Sequence, residues 1–142
     1  MKPFLLFVIA SLSFSVTAQT EDYTGTYLFS RESENGDALK YELKLNADQT
    51  FTFHNFRNII CSICKEENSY GKGTWKVENK IIYFTTHSND LDGTHTLDFT
   101  GTTARIVKKS PRDMSDKVVP TALQFYKSKM FWIANLKLTL VD

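Results

Sequence analysis

Two cysteines, Cys61 and Cys64, are the only ones in a chain of 142 residues. A Cys-x-x-Cys spacing supports several chemistries. In an oxidising compartment the pair closes a local disulfide, since thiols this near in sequence meet at high effective concentration. With further ligands it binds a soft metal, and with a lowered thiol pKa it exchanges electrons. A fourth reading leaves two free, buried thiols. For a metal the nearest imidazole is His54, with Glu66 or Glu67 behind it, and two thiolates with one imidazole suit copper or zinc. A strong zinc signature carries a second Cys/His pair at ligand spacing, which this chain lacks. Redox chemistry lacks the βαβ context in which such pairs work.

The remaining chemistry-bearing residues give weaker signals. His87 and His95 flank the segment from Ser88 to Thr94, whose Asp90 and Asp92 offer a divalent-ion reading. The twelfth position counted from Ser88 is Phe99 rather than glutamate, so a calcium loop fails. An Asp- and Gly-rich segment is also the ordinary way to join two strands. There is no Gly-x-Ser-x-Gly elbow and no phosphate-cradling glycine loop, and the acids are scattered, so a non-enzymatic protein is expected, with no cofactor beyond the copper or zinc alternative.

At the N-terminus Lys2 precedes an apolar run from Phe4 to Phe14 and the small residues Val16-Thr17-Ala18. This pattern predicts a signal peptide over residues 1–18 and a mature domain over 19–142. The run is shorter than the roughly 20 residues of a membrane span. No second run follows, so no transmembrane segment is expected. The first cysteine lies far from the cleavage site, so no lipid anchor is expected either. The expected destination is the periplasm or the exterior, in soluble form. Losing Lys2 leaves 16 basic residues against 16 acidic ones. A balanced charge argues against nucleic acid as a partner.

Positioning any of these groups falls to short strands. Leu39, Tyr41, Leu43 and Leu45 alternate with Lys40, Glu42 and Lys44, and Phe51 and Phe53 alternate with Thr50, Thr52 and His54. Such a period of two buries one face of a strand and wets the other. Further strands are expected at Tyr23–Ser30, Gly73–Glu78, Ile81–Thr86, Thr94–Thr100, Thr102–Lys108, Thr121–Lys127, Met130–Ile133 and Leu136–Val141. The spacing of Ile59, Ile60, Ile63 and Cys64 predicts a short helix or apolar lid around residues 58–68. Tight turns between consecutive strands predict an all-β, antiparallel up-and-down barrel of about 8–10 strands, because closure removes the exposed edges of a meander.

The opener Gly25-Thr26-Tyr27, the hairpin from Leu45 to Phe51 and the run Gly71-Lys72-Gly73-Thr74-Trp75-Lys76-Val77 resemble small bacterial lipocalin-like domains over most of the mature chain. The resemblance implies a barrel in which glycine lets backbones cross closely at the base and an aromatic plugs the floor. Here tyrosine occupies the first Gly-x-aromatic triplet and tryptophan the second. A Cys-x-x-Cys also occurs in the lipocalin-like domain of an outer-membrane copper-homeostasis lipoprotein, but at a different position relative to the hairpin.

Only Phe4, Phe7 and Phe14 of the 11 Phe, 6 Tyr and 2 Trp fall in the signal peptide. Tyr27, Phe29, Tyr41, Phe51 and Phe53 are expected to point inward. So are Trp75, Phe84, Phe99 and Phe125. These rings either fill the barrel solidly or line a cavity for a small apolar or amphipathic ligand. Phe131 and Trp132 lie in a segment apolar on both faces, which marks a candidate protein-contact patch. Ligand binding is therefore the first expectation, metal handling the second, and an interaction or inhibitor module the third.

Overall fold

The inward and outward alternation is realised as a sheet closed on itself. The computed structural model describes residues 23–141, so the signal-peptide reading lies outside the described residues. The strands are β1 (Gly25–Glu32), β2 (Ala38–Leu45), β3 (Thr50–Asn58), β4 (Glu67–Glu78), β5 (Ile81–Thr85), β6 (His95–Leu97), β7 (Thr103–Val107), β8 (Ala122–Lys127) and β9 (Lys137–Leu140). All but β6 form an antiparallel ring in the order β1-β2-β3-β4-β5-β7-β8-β9, and β9 returns to pair with β1 at Tyr27↔Leu140 and Leu28↔Thr139. The result is an eight-stranded, closed up-and-down barrel. Among the described residues no helix is long and apolar enough to cross a membrane.

Because the strands alternate in direction, the connections fall into two sets. The hairpins Asn46–Gln49 and Asn79–Lys80 share a lower end with the loop 108–121. The loops 33–37, 59–66, 86–102 and 128–136 share the upper end. The lower end is sealed by Trp75. Its indole N–H donates to the carbonyls of Thr50 (3.0 Å) and Asn46 (3.2 Å), tying the floor to the β2–β3 hairpin. Above it Phe51, Phe84, Phe99 and Phe53 pack edge-on and tilted, with centroids 5.0 Å to 6.1 Å apart.

β4 is longer than its alternation suggests and serves two neighbours. From Arg57↔Glu67 to Thr50↔Thr74 it pairs with β3, and from Thr74↔Thr85 to Glu78↔Ile81 it pairs with β5. Its upper half, left open on the β5 side, takes β6 as a parallel partner at Tyr70↔His95 and Gly71↔Leu97. Gly71 and Gly73 hid this half-strand, since glycine weakens a strand pattern. Their role is close approach. A Cβ on Gly71 would meet the Phe99 ring at 2.6 Å, and one on Gly73 would collide with the carbonyl of Thr85 and the Phe51 ring.

Two expected elements are corrected. Residues 58–68 form no helix: Asn58 ends β3, Glu67 and Asn68 begin β4, and turns join them. The hairpin register leaves too short a segment for a helix, and isolated helices below about 12 residues are marginal. Nor is the loop a lid, since Ile63 is 90% exposed. Met130–Ile133 is a turn rather than a strand. The N–H groups of Ile133 and Ala134 both donate to the Met130 carbonyl (3.0 Å and 3.3 Å). That turn buries Ile133, half-buries Trp132 and turns Phe131 out to 87% exposure, which explains apolar residues on both apparent faces.

Candidate functional site

The β3 alternation that buries Phe51 and Phe53 continues upward to Asn55 and Arg57. On β4 the matching positions are Ser69, opposite Asn55, and Glu67, opposite Arg57. Tyr41 of β2, Leu97 of β6 and Phe131 and Trp132 of the β8–β9 turn complete the lining of a cup of about 420 Å³ at the upper end. That lies within the range of about 300–1,000 Å³ for small-molecule sites.

One side of the cup is aromatic. The Tyr41 ring stacks with Trp132 at 6.0 Å and with Phe53 at 6.3 Å, and Phe29 backs Tyr41 at 5.9 Å. Burial raises the pKa of the Tyr41 phenol above its ordinary value, while the nearby Arg57 charge pulls it the other way. The other side is polar and unpaired. Asn55 Oδ1 is buried without a hydrogen-bond partner. Among the described residues the half-buried Tyr41, Ser69 and Trp132 and the exposed Arg57 and Glu67 also make no side-chain hydrogen bond or salt bridge within the protein, so of this lining only Asn55 is a buried orphan. Buried polar groups are ordinarily satisfied. Elsewhere this barrel obeys that rule: Thr86 Oγ1 accepts from Phe99 N–H (2.9 Å) and donates to the Lys72 carbonyl (3.3 Å), and Tyr27 donates to the Tyr23 carbonyl at 2.7 Å.

A second cavity of about 350 Å³ adjoins the cup at Tyr41 and Arg57 and is lined also by Arg31, Asp37, Leu39 and Ile59. A third, beside the disulfide loop, is lined by Ile59, Ile63, Cys64 and Lys65 and shares Arg57 and Glu67 with the cup.

No family model, curated protein or solved structure matches this chain. What the site does must be read from its own geometry.

The residues nominated from sequence divide. Tyr27, Phe51, Phe53, Trp75, Phe84, Phe99 and Phe125 are fully buried and pack on one another and on aliphatic neighbours as a core. Phe29 and Tyr41 are half-buried higher up, where Tyr41 reaches the cup. Trp132 joins that cup as a ring wall, and Phe131, largely exposed, stands at its edge.

Cys61 and Cys64 are joined as a disulfide with Cα atoms 5.1 Å apart. This corrects the metal reading, because thiols bonded to each other are not thiolate ligands. His54 is engaged elsewhere, with Nε2 2.8 Å from Asn68 Oδ1 and its ring stacked on Tyr70 at 4.5 Å. Among the described residues no group of three or more His, Cys, Asp or Glu is placed to hold a metal ion. His95 Nδ1 faces Asp92, and His87 Nε2 faces Thr74 Oγ1 at 3.3 Å. The two histidines thus serve as loop anchors. Asp92 also accepts backbone N–H groups from His95 and Thr94, which hold its carboxyl well below the usual range.

Asn55, Arg57 and Ser69 were missed from sequence, and Glu67 was considered only as a metal ligand. The available signal was parity: continuing the Phe51, Phe53 alternation places Asn55 and Arg57 inward, where polar residues need a reason.

Proposed function

We propose that this protein is an exported, non-enzymatic lipocalin-like barrel that binds a small amphipathic ligand in the upper cup, not among the core rings. The observation that carries the reading is the convergence of unpaired polar groups, Asn55 foremost, on a wall of stacked Tyr41 and Trp132. An unsatisfied buried acceptor costs about 1–3 kcal/mol, and a ligand donor placed against it recovers that loss while the ligand's apolar body covers the rings. The disulfide suits an oxidising compartment, which supports export. Kinship with lipocalin-like domains rests on the closed meander, the aromatic floor and the close-packed glycines of β4.

The test uses N-phenyl-naphthylamine, an uncharged probe whose bridging N–H can donate to Asn55. Saturable fluorescence enhancement is expected with the wild-type protein, and Trp132→Ala is expected to weaken it about tenfold while keeping a cooperative melt, given about 0.5–1.5 kcal/mol for a ring pair beyond its area burial. Binding that Trp132→Ala leaves untouched would place the probe elsewhere and overturn the reading.

A further inference from the structure

Resting on that reading, the arrangement of charge at the rim narrows the ligand's class. Arg31, Leu39 and Arg57 are register partners in a single row across β1, β2 and β3, through Arg31↔Leu39 and Leu39↔Arg57. Strands lie about 4.8 Å apart, so the two arginine backbones stand roughly 10 Å from one another on either side of Leu39. Both line the groove that joins the cup at Tyr41 and Arg57. Among the described residues neither guanidinium has a salt bridge.

The neighbouring acids form no ion pair with them. Asp37 lines the same groove and keeps its charge, with its oxygens turned to the loop: Oδ1 accepts the Ile60 N–H at 2.8 Å and Oδ2 accepts from Asn35 Nδ2 at 3.4 Å. Glu67, across from Arg57, lies on the cup side, away from Arg31. The two exposed guanidiniums, on one row with an apolar residue between them, leave two forks open to an anion laid across the groove. Planar guanidinium forks are suited to that task, since they grip carboxylate or sulfonate oxygens in pairs.

We infer that the ligand is an anionic amphipath: a planar apolar body lies in the cup against Tyr41 and Trp132, and a carboxylate- or sulfonate-type headgroup projects into the groove between Arg57 and Arg31. Headgroup and body then occupy two adjoining cavities, and Glu67 disfavours the reversed pose.

Anilinonaphthalene sulfonate shares its ring body with N-phenyl-naphthylamine and adds one negative charge, so the pair isolates the headgroup. Arg31→Gln, at a position outside the cup, is expected to weaken the sulfonate probe about tenfold, the effect of one charge-assisted hydrogen bond, and to leave the neutral probe unchanged. Arg57→Gln should lower the ratio of anionic to neutral affinity, Arg57→Lys should restore part of it, and added salt should weaken the anionic probe selectively. If the neutral probe binds and neither arginine variant alters the ratio, the anion site is overturned while the cup stands. If the neutral probe fails to bind the wild type at all, the cup itself is overturned and this inference goes with it.

Discussion

Asn55 is where the proposed site and the stability of the fold pull in opposite directions. Its amide oxygen is buried beside rings that are otherwise well packed and has no partner within the protein. Replacing an unsatisfied polar group by an apolar one of similar shape removes a desolvation penalty of about 1–3 kcal/mol. Asn55→Leu is therefore expected to raise the unfolding free energy by about 1 kcal/mol in urea titration and to weaken the neutral probe in the same preparation. A stabilised variant that binds as before would mean that the amide does not touch the ligand. A destabilised one would mean that the amide is satisfied in solution. Function held at the expense of stability is the usual signature of a site.

At the scale of elements, β4 positions more of the molecule than any other strand, because it carries the floor (Trp75), the ring-facing glycines (Gly71 and Gly73) and the rim (Ser69 and Glu67). Gly73 has backbone as its obstacle: an added Cβ runs into the Thr85 carbonyl of the adjoining strand. Overpacking of this kind typically costs about 1–3 kcal/mol. Gly73→Ala is expected to fall at the upper end of that range in urea unfolding, whereas Gly93→Ala, with open space around it, should change stability by less than about 0.5 kcal/mol. Equal effects at the two positions would contradict the close crossing of β4 over its neighbours. The disulfide loop matters less to the fold. Closing so short a loop removes only about 2 kcal/mol of unfolded-chain entropy, and Ile63 at its tip is exposed.

At the scale of the whole molecule, the barrel divides into a filled lower half that holds the fold and a partly polar upper cup. Tyr27 belongs to the first. Burial, with the nearby Tyr23 adding to it, pushes its phenol from 10.0 up to about 12. A folded-state pKa raised above the unfolded one stabilises the fold fully below pH 10, and that contribution is lost as pH rises toward 12. Alkaline unfolding followed by circular dichroism should therefore steepen across that window, and Tyr27→Phe should flatten it. An alkaline limb unchanged by the substitution would show that Tyr27 does not control it.

Side-chain period and turn chemistry in the sequence were enough to determine an antiparallel barrel, the inward face that carries its rings and the pairing of Cys61 with Cys64 as one of few choices, because burial on alternate positions is a local property of each strand. Only the tertiary structure decided the rest. It drew β4 back to Glu67, set β6 beside it in parallel, folded Met130–Ile133 into a turn and left the segment after Asn58 without a helix. It also placed the site. Asn55, Arg57, Ser69, Arg31 and Trp132 come from four separate stretches of chain, and each reads locally as an ordinary polar or aromatic residue. Only closure of the barrel gathers Asn55, Arg57, Ser69 and Trp132 around one cup and sets Arg31 along the adjoining groove.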